Sequence, residues 1–272
     1  MQQFLTQGAR PPLVVRPPAN QDSDLRLVQR ARLLELRYGD LDGAALLDAA
    51  VNEIFPGRIA VVSSFGTESA VLLDLVAQVN RATPVIFLDT GKHFPETLAY
   101  RDALVARLGL TDVRSIAPAA DDLAWADQDG TLWRRSPDLC CQLRKVLPLE
   151  RALSGFSAWI NGRKRFQGGQ RHHLGLFEAA DSRIKVNPLA TWDTADLARA
   201  FVARDLPRHP LGAQGYPSIG CAPCTSKAGD GEGEGDNAGA GSRAGRWAGS
   251  DKTECGIHQA PRRPLGSSKG LR

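Results

Sequence analysis

A chain of 272 residues with 42% hydrophobic content is long enough to bury a full core as one domain with an appended tail. No apolar run approaches the length of a membrane-spanning helix, so a soluble protein is expected. A net charge of +4 is too mild to demand nucleic acid, yet it suits an anionic small ligand.

Residues 1–20 carry Arg10, Arg16 and four prolines without a continuous apolar stretch, which predicts a disordered lead-in and no secretory signal. Leu27, Val28, Ala31 and Leu34 recur on one helical face and predict a helix from about Asp24 to Leu36; a second is expected from about Ala44 to Glu53. Then the pattern changes. Arg58–Ser63 is a short β-branched run of the kind found in buried parallel strands, and it passes through Ser64-Phe65-Gly66-Thr67 into a helix beginning near Glu68. Pro84–Leu88 predicts a second strand, ending in Asp89-Thr90-Gly91, and Pro95 is well suited to the first turn of the next helix. Thr111–Ile116, Ser157–Asn161 and Ile184–Leu189 read as three further strands. Strands alternating with helices predict an α/β fold, a doubly wound and mostly parallel sheet. Ligands in such sheets bind at the carboxyl ends of strands, beside a topological switch point. The stretch from Lys227 to Ser250 is glycine-rich and opens with Asp230, Glu232, Glu234 and Asp236, so no packed element is expected there. The basic end (Arg262, Arg263, Lys269, Arg272) is assigned no role.

Four of the five cysteines fall into an adjacent pair, Cys140-Cys141, and a distant Cys221-Ala222-Pro223-Cys224; Cys255 stands apart in Glu254-Cys255-Gly256-Ile257-His258. An adjacent pair is poorly placed to close a disulfide on itself. A reducing, cytoplasmic setting is expected, where clustered cysteines point to metal or redox chemistry. Four thiolates suit an iron–sulfur cluster, zinc, or simply buried core thiols; spacing leaves all three open.

Polar residues gather at the strand ends. Ser63-Ser64-Phe65-Gly66-Thr67-Glu68-Ser69 joins a strand to a helix, and its backbone N–H groups suit a phosphate, although such a loop also serves as a plain N-cap. It is not a Walker loop, because no G-K-[ST] follows. Leu88-Asp89-Thr90 supplies an adjacent polar rim.

Taken together these residues resemble the assimilatory adenylyl-sulfate and phosphoadenylyl-sulfate reductases. Ser64–Ser69 resembles that family's modified pyrophosphatase-type loop, and Leu88-Asp89-Thr90-Gly91 with Phe94-Pro95-Glu96-Thr97 its second signature. Cys140-Cys141-Gln142-Leu143-Arg144-Lys145 with Cys221–Thr225 is similar to the paired motif of the iron–sulfur branch, and Lys252–His258 to the C-terminal catalytic motif. The resemblance spans about residues 45–258 in matching order.

The resemblance implies an adenine-nucleotide alpha-hydrolase-like fold and reduction of adenosine 5′-phosphosulfate to sulfite with release of AMP. It implies Cys255 as the nucleophile, passing through an S-sulfocysteine that reduced thioredoxin (or glutaredoxin) resolves. Thiol chemistry suits the task, since a thiolate is both a good nucleophile and displaceable by another thiol. Cys140, Cys141, Cys221 and Cys224 are the implied ligands of a [4Fe–4S] cluster. The implied substrate contacts are Ser63, Ser64, Gly66, Thr67, Glu68, Ser69, Leu88, Asp89, Thr90, Lys145, Gly162, Arg163, Arg243 and Arg246. Lys252 and His258 are candidates for lowering the Cys255 pKa, with a solvated tail residue the alternative for His258. The family's usual Arg-Arg-Asp-Gln pattern is broken by Lys164 and Phe166, while Gly162, Arg163 and Gln167 fit. Its tryptophan-rich stretch is reduced to Trp247 followed by Ala248. The expected organisation is a disordered segment 1–20, a nucleotide- and cluster-binding α/β domain 21–226, and a flexible tail 227–272 that swings Cys255 between substrate and reductant. Homo-oligomer formation is left open. The competing readings are a phosphoadenylyl-sulfate or dual-specificity reductase, and an ATP-pyrophosphatase-type thiolation enzyme, which would not explain the Glu-Cys-Gly-Ile-His tail.

Overall fold

The computed structural model describes residues 21–228, 245–247, 252 and 254–258. The chain begins with α1 (Gln21–Tyr38) and α2 (Gly43–Asp48), the latter running on as a π-helical segment to Ile54. Next come β1 (Ile59–Val62), α3 (Ser69–Val79), β2 (Val85–Leu88), α4 (Pro95–Leu108) and β3 (Val113–Ile116). A helical stretch follows: α5 (Ala120–Ala126), α6 (Leu132–Arg135), α7 (Pro137–Cys141), a π-helical turn Gln142–Val146, and α8 (Leu147–Ala152). The chain then forms β4 (Ala158–Ile160), β5 (Phe177–Ala180), β6 (Arg183–Val186) and α9 (Thr194–Ala203).

The six strands lie in the order β3-β2-β1-β4-β6-β5. All neighbours are parallel except β5, which folds back antiparallel on β6 through a turn at Asp181 and Ser182. β1, β2 and β4 are buried at every position, as continuous apolar runs covered on both faces must be. Alternation sends Ile59 and Val61 into a core with α2, α3, α4 and α9, while Ala60 and Val62 face Trp159, Leu149 and Leu153 on the other side. The doubly wound α/β expectation is met. Pro95 opens α4 and Gly109, at φ +64°, closes it in the left-handed conformation that glycine adopts without penalty.

Three elements go beyond the sequence reading. β5 was not anticipated, the expected strand Ile184–Leu189 ends at Val186, and the second helix changes pitch after Asp48. The order of strands places the functional loops: from β1 the chain winds outward through β2 to β3, then returns to lay β4 on the other side of β1. The loops leaving β1 and β4 therefore diverge, opening a crevice at their carboxyl ends. No described helix is long and apolar enough to cross a membrane.

Candidate active site

The crevice is a cavity of about 210 Å³, lined by the β1–α3 loop, the ends of β2 and β4, Lys145, the 218–221 segment, and tail residues Arg246, Trp247, Glu254, Cys255, Ile257 and His258. The β1–α3 loop turns sharply at Phe65, which is buried at φ +50° and gives its N–H to Ser63 Oγ at 3.2 Å. That conformation is uncommon for a residue with a side chain. Ser63, Ser64, Gly66, Thr67, Glu68 and Ser69 all line the cavity, as do Leu88, Lys145, Gly162, Arg163 and Arg246. Glu68 is held by the buried Lys164, Nζ to Oε2 2.6 Å, and by Gln167 Nε2 at 2.9 Å. Burial drives the Lys164 pKa down, opposed by the Glu68 carboxylate. Lys164, which departs from the expected pattern, thus anchors the first loop to the loop after β4.

Asp89 and Thr90 are not among the lining residues. Asp89 caps its own turn, accepting Gly91 N–H at 3.0 Å, and Thr90 Oγ1 sits 3.4 Å from Cys221 Sγ. Arg163 lines the cavity, but its guanidinium donates to Asn161, Glu178 and Asn187. Arg243 lies outside the described residues. The tail 227–272 expected to swing Cys255 falls largely on residues outside them as well.

The cysteines are brought together from two elements. Cys140 and Cys141 end α7 and are buried; Cys221 and Cys224 bracket a tight 3₁₀ turn whose start pairs with His93. Burial, and then the nearby Cys221, push the Cys140 thiol up to about 11, and Cys224 rises for the same reasons. The π-helical turn directly after Cys141 sets the two following cations to different tasks. Arg144 is buried against Asp127, Nη2 to Oδ2 2.5 Å, and gives Nη1 to the Thr90 carbonyl at 2.7 Å. Lys145 points to the tail, with Nζ 3.8 Å from Cys255 Sγ. Burial opposes the Lys145 charge, but the thiolates of Cys221, Cys255 and Cys141 raise its pKa above the ordinary lysine value. Cys255 is shifted the other way: a hydrogen bond from the Cys141 thiol is the main cause, burial resists, and Lys145 adds to it. The Cys141 thiol rises correspondingly. Among the described residues, no three His, Cys, Asp or Glu side chains converge closely enough to grip a single metal ion.

His258 stacks on Trp159 with ring centroids 5.7 Å apart, so it packs under the cavity instead of being a solvated tail residue. Lys252 is ion-paired with Asp138 at 2.5 Å. Arg246 stacks over Trp247 and rests against Gly220, where a Cβ would collide with the guanidinium.

Several lining residues, His93, Asn161, Arg171 and Glu254 among them, were given no site role by the sequence reading. His93 Nε2 donates to the Leu88 carbonyl at 2.9 Å, which leaves Nδ1 as a buried acceptor with no hydrogen-bond partner among the described residues. Asn161 Nδ2 and Arg246 Nε are buried donors in the same condition. Buried polar atoms are normally satisfied, so these three atoms mark where a ligand's complementary groups belong. Arg171 and Glu254 form a buried bidentate pair, Nε–Oε2 2.7 Å and Nη2–Oε1 2.9 Å. Position after a strand end was the available signal for Asn161; pairing across 83 residues leaves none in sequence.

A profile described as the phosphoadenosine phosphosulfate reductase domain matches residues 58–227. The chain is 49% identical over 237 residues to an adenosine 5′-phosphosulfate reductase of Mesorhizobium japonicum, covering 87% of this chain and 90% of that one. It is 40% identical over 233 residues to a phosphoadenosine 5′-phosphosulfate reductase of Gloeobacter violaceus, covering 83% and 92%. The crystal structure of a phosphoadenylyl-sulfate reductase from Candida auris, a phosphate complex, superposes with a TM-score of 0.60 at 28% identity, covering 73% of this chain and 96% of that one. A domain match over the whole sheet, relatives aligned almost end to end and a shared fold agree: the chain belongs to the phosphoadenosine phosphosulfate reductase family.

Proposed function

We propose that this chain reduces adenosine 5′-phosphosulfate to sulfite and AMP in assimilatory sulfate reduction, with Cys255 as nucleophile and a thioredoxin- or glutaredoxin-type dithiol as electron donor. One observation carries the reading: Cys255 stands in the same cavity as the Ser63–Ser69 loop, with the Lys145 ammonium 3.8 Å from its sulfur. The loop and Arg246 offer donors for the phosphosulfate, and Leu88, Asn161, Gly162 and His93 offer edges for the nucleoside. Arg243, from the same tail stretch, is proposed to join Arg246 on the anion, and Asp89 and Thr90 to shape the rim from behind.

In the first step the Cys255 thiolate attacks the sulfate sulfur and the sulfur–oxygen bond to the phosphate breaks. AMP departs with that electron pair, leaving Cys255 as S-sulfocysteine. A donor thiolate then attacks Cys255 Sγ and sulfite leaves with the sulfur–sulfur bonding electrons. The donor's second thiol resolves the mixed disulfide, so two thiols are oxidised for each sulfate reduced. Five free thiols suit a reducing cytoplasmic setting.

Cys140, Cys141, Cys221 and Cys224 would hold a [4Fe–4S] cluster, which when bound supplies a charged, electron-accepting inorganic centre. Support comes from the donor set, four thiols on two adjoining elements with Lys145 half-buried beside them, and not from a closed cage for one ion. A ligating Cys141 has no proton to donate, so Lys145 is then the cation that holds the Cys255 thiolate.

The test is anaerobic sulfite release with reduced thioredoxin, from adenosine 5′-phosphosulfate and from its 3′-phosphorylated form. Rapid sulfite from the first alone supports the reading. Comparable rates establish dual specificity, which relatives bearing both names make the specific second reading. No sulfite from either, with cluster-replete protein, overturns the reductase assignment.

A further inference from the structure

The two charged residues nearest Cys255 on its N-terminal side, Lys252 and Glu254, carry opposite signs, and each is buried against a fixed partner. The Lys252 side chain is 4% exposed and meets Asp138 at the head of α7. The Glu254 side chain is 4% exposed and is forked by Arg171, from the short turn Gly169–Arg171 beyond β4. Arg171 is oriented from behind: its Nη1 donates to Gln167 Oε1, while Gln167 Nε2 donates to Glu68. The same Glu254 carboxylate accepts the Cys255 backbone N–H at 2.8 Å, so the contact that fastens the tail also fixes the nucleophile's backbone. One residue on, Gly256 lies so close to Cys141 that a Cβ would come within 3.2 Å of that residue's Cβ.

We propose that Lys252 and Glu254 are the two posts of a charged clasp, with Asp138 and Arg171 as fixed counterparts, that holds Cys255 over the cavity for sulfur transfer and opens to present it to the reductant. The second half of this inference rests on the proposed function; the first does not. Ion pairs suit a fastening that must be undone. Closing removes Lys252, Glu254 and Arg171 from water, with Asp138 left 44% exposed, and opening returns them, so attraction and desolvation largely offset one another and the two states lie close in free energy. Losing one partner is different, because it removes the counter-charge that fastens the closed form and so favours the open tail. Lys252, Glu254, Asp138 and Arg171 are positioning residues: their role is to place the sulfur.

The test uses the whole, cluster-replete chain without substrate and follows iodoacetamide modification of Cys255 by peptide mass spectrometry. Glu254→Gln and Asp138→Asn are each expected to speed that modification tenfold or more. Asp138 is 44% exposed on its side chain, so its variant removes a post without emptying a core site. Combining Lys252→Asp with Asp138→Lys is expected to restore protection that Asp138→Lys alone destroys. In single turnover the neutralised variants should transfer the sulfo group to Cys255 more slowly, while dithiothreitol releases sulfite from preformed S-sulfo enzyme at least as fast as in the parent. Modification within threefold of the parent in both single variants, or no rescue by the reversed pair, overturns the clasp. A protected Cys255 in a chain that makes no sulfite would instead overturn the proposed function and leave the clasp standing.

Discussion

The two walls of the cavity are held in different ways. On the sheet side, the β1 and β2 ends are locked by backbone ladders, as in Ser63 N–H to the Ile86 carbonyl at 3.1 Å and Asp89 N–H to the Ile116 carbonyl at 3.0 Å. On the tail side, backbone pairing ties 245–247 to 224–226, through Ser226 N–H to Gly245 at 2.8 Å and Trp247 N–H to Cys224 at 3.1 Å. Farther on, at Lys252 and Glu254, buried ion pairs take over. A ladder is cooperative with the whole sheet, whereas two ion pairs open without disturbing it. The comparison teaches that damage to the first wall should be read in stability and damage to the second in rate.

The sharpest separation should come from Cys255→Ser. A serine is a far poorer nucleophile at neutral pH and forms no sulfur–sulfur bond, so sulfite release should fall by at least about 1,000-fold while the thermal midpoint stays put. Asp127→Ala tests the support behind the β2 end, where Arg144 holds the Thr90 carbonyl. It leaves the Arg144 guanidinium buried without its carboxylate, at about 3–5 kcal/mol, and denaturant unfolding should show the whole loss.

His209 gives a pH handle on the fold away from the cavity. It is buried behind α4, accepts Leu211 N–H at Nδ1 and meets Thr97 Oγ1 at 3.0 Å through Nε2. Burial, only partly opposed by Glu96, lowers its pKa from 6.5 to about 4. The folded state thus prefers the neutral ring. Its contribution is complete above pH 6.5 and is lost as pH falls from there to about 4, where the folded protein also takes up the proton. The loss amounts to roughly 3 kcal/mol, and His209→Gln should flatten that part of the stability curve without moving the sulfite-release rate at pH 8. The smallest effect belongs to the seam between the walls. Gly220→Ala would push the Arg246 guanidinium aside and should raise the KM for adenosine 5′-phosphosulfate about tenfold, or about 1.4 kcal/mol, with the unfolding midpoint unchanged.

Legibility in the sequence followed the same division. β1, β2 and β4 were readable because strands buried on both faces must be apolar throughout. β5 was not, since Phe177-Glu178-Ala179-Ala180 is a partly exposed edge strand whose pairing is set by β6. The short helices between Ala120 and Ala152 carry few buried positions apiece, too few to show a period. At the site, motifs placed the loop, the thiols and Lys145. The residues that organise them (Lys164 on Glu68, Arg171 on Glu254, His93 under Leu88) pair across the fold or act through one ring nitrogen, and a linear pattern records neither.

The π-helical turn Gln142–Val146 lies within one unbroken helical stretch, and it separates two registers. Before it, helical phase is dictated by the thiols of Cys140 and Cys141. After it, phase is dictated by the packing of Leu149 and Leu153 on Trp159. An α-helix of uniform pitch would tie these requirements together, because each residue advances the phase by a fixed angle of about 100°. Deleting a single residue from the turn would rotate α8 by that angle and carry its apolar stripe off the sheet, while every cysteine kept its place in the motif. Chain length between the thiol pair and the fourth strand is therefore itself a constrained quantity, one that no substitution scan would reveal and a one-residue deletion would.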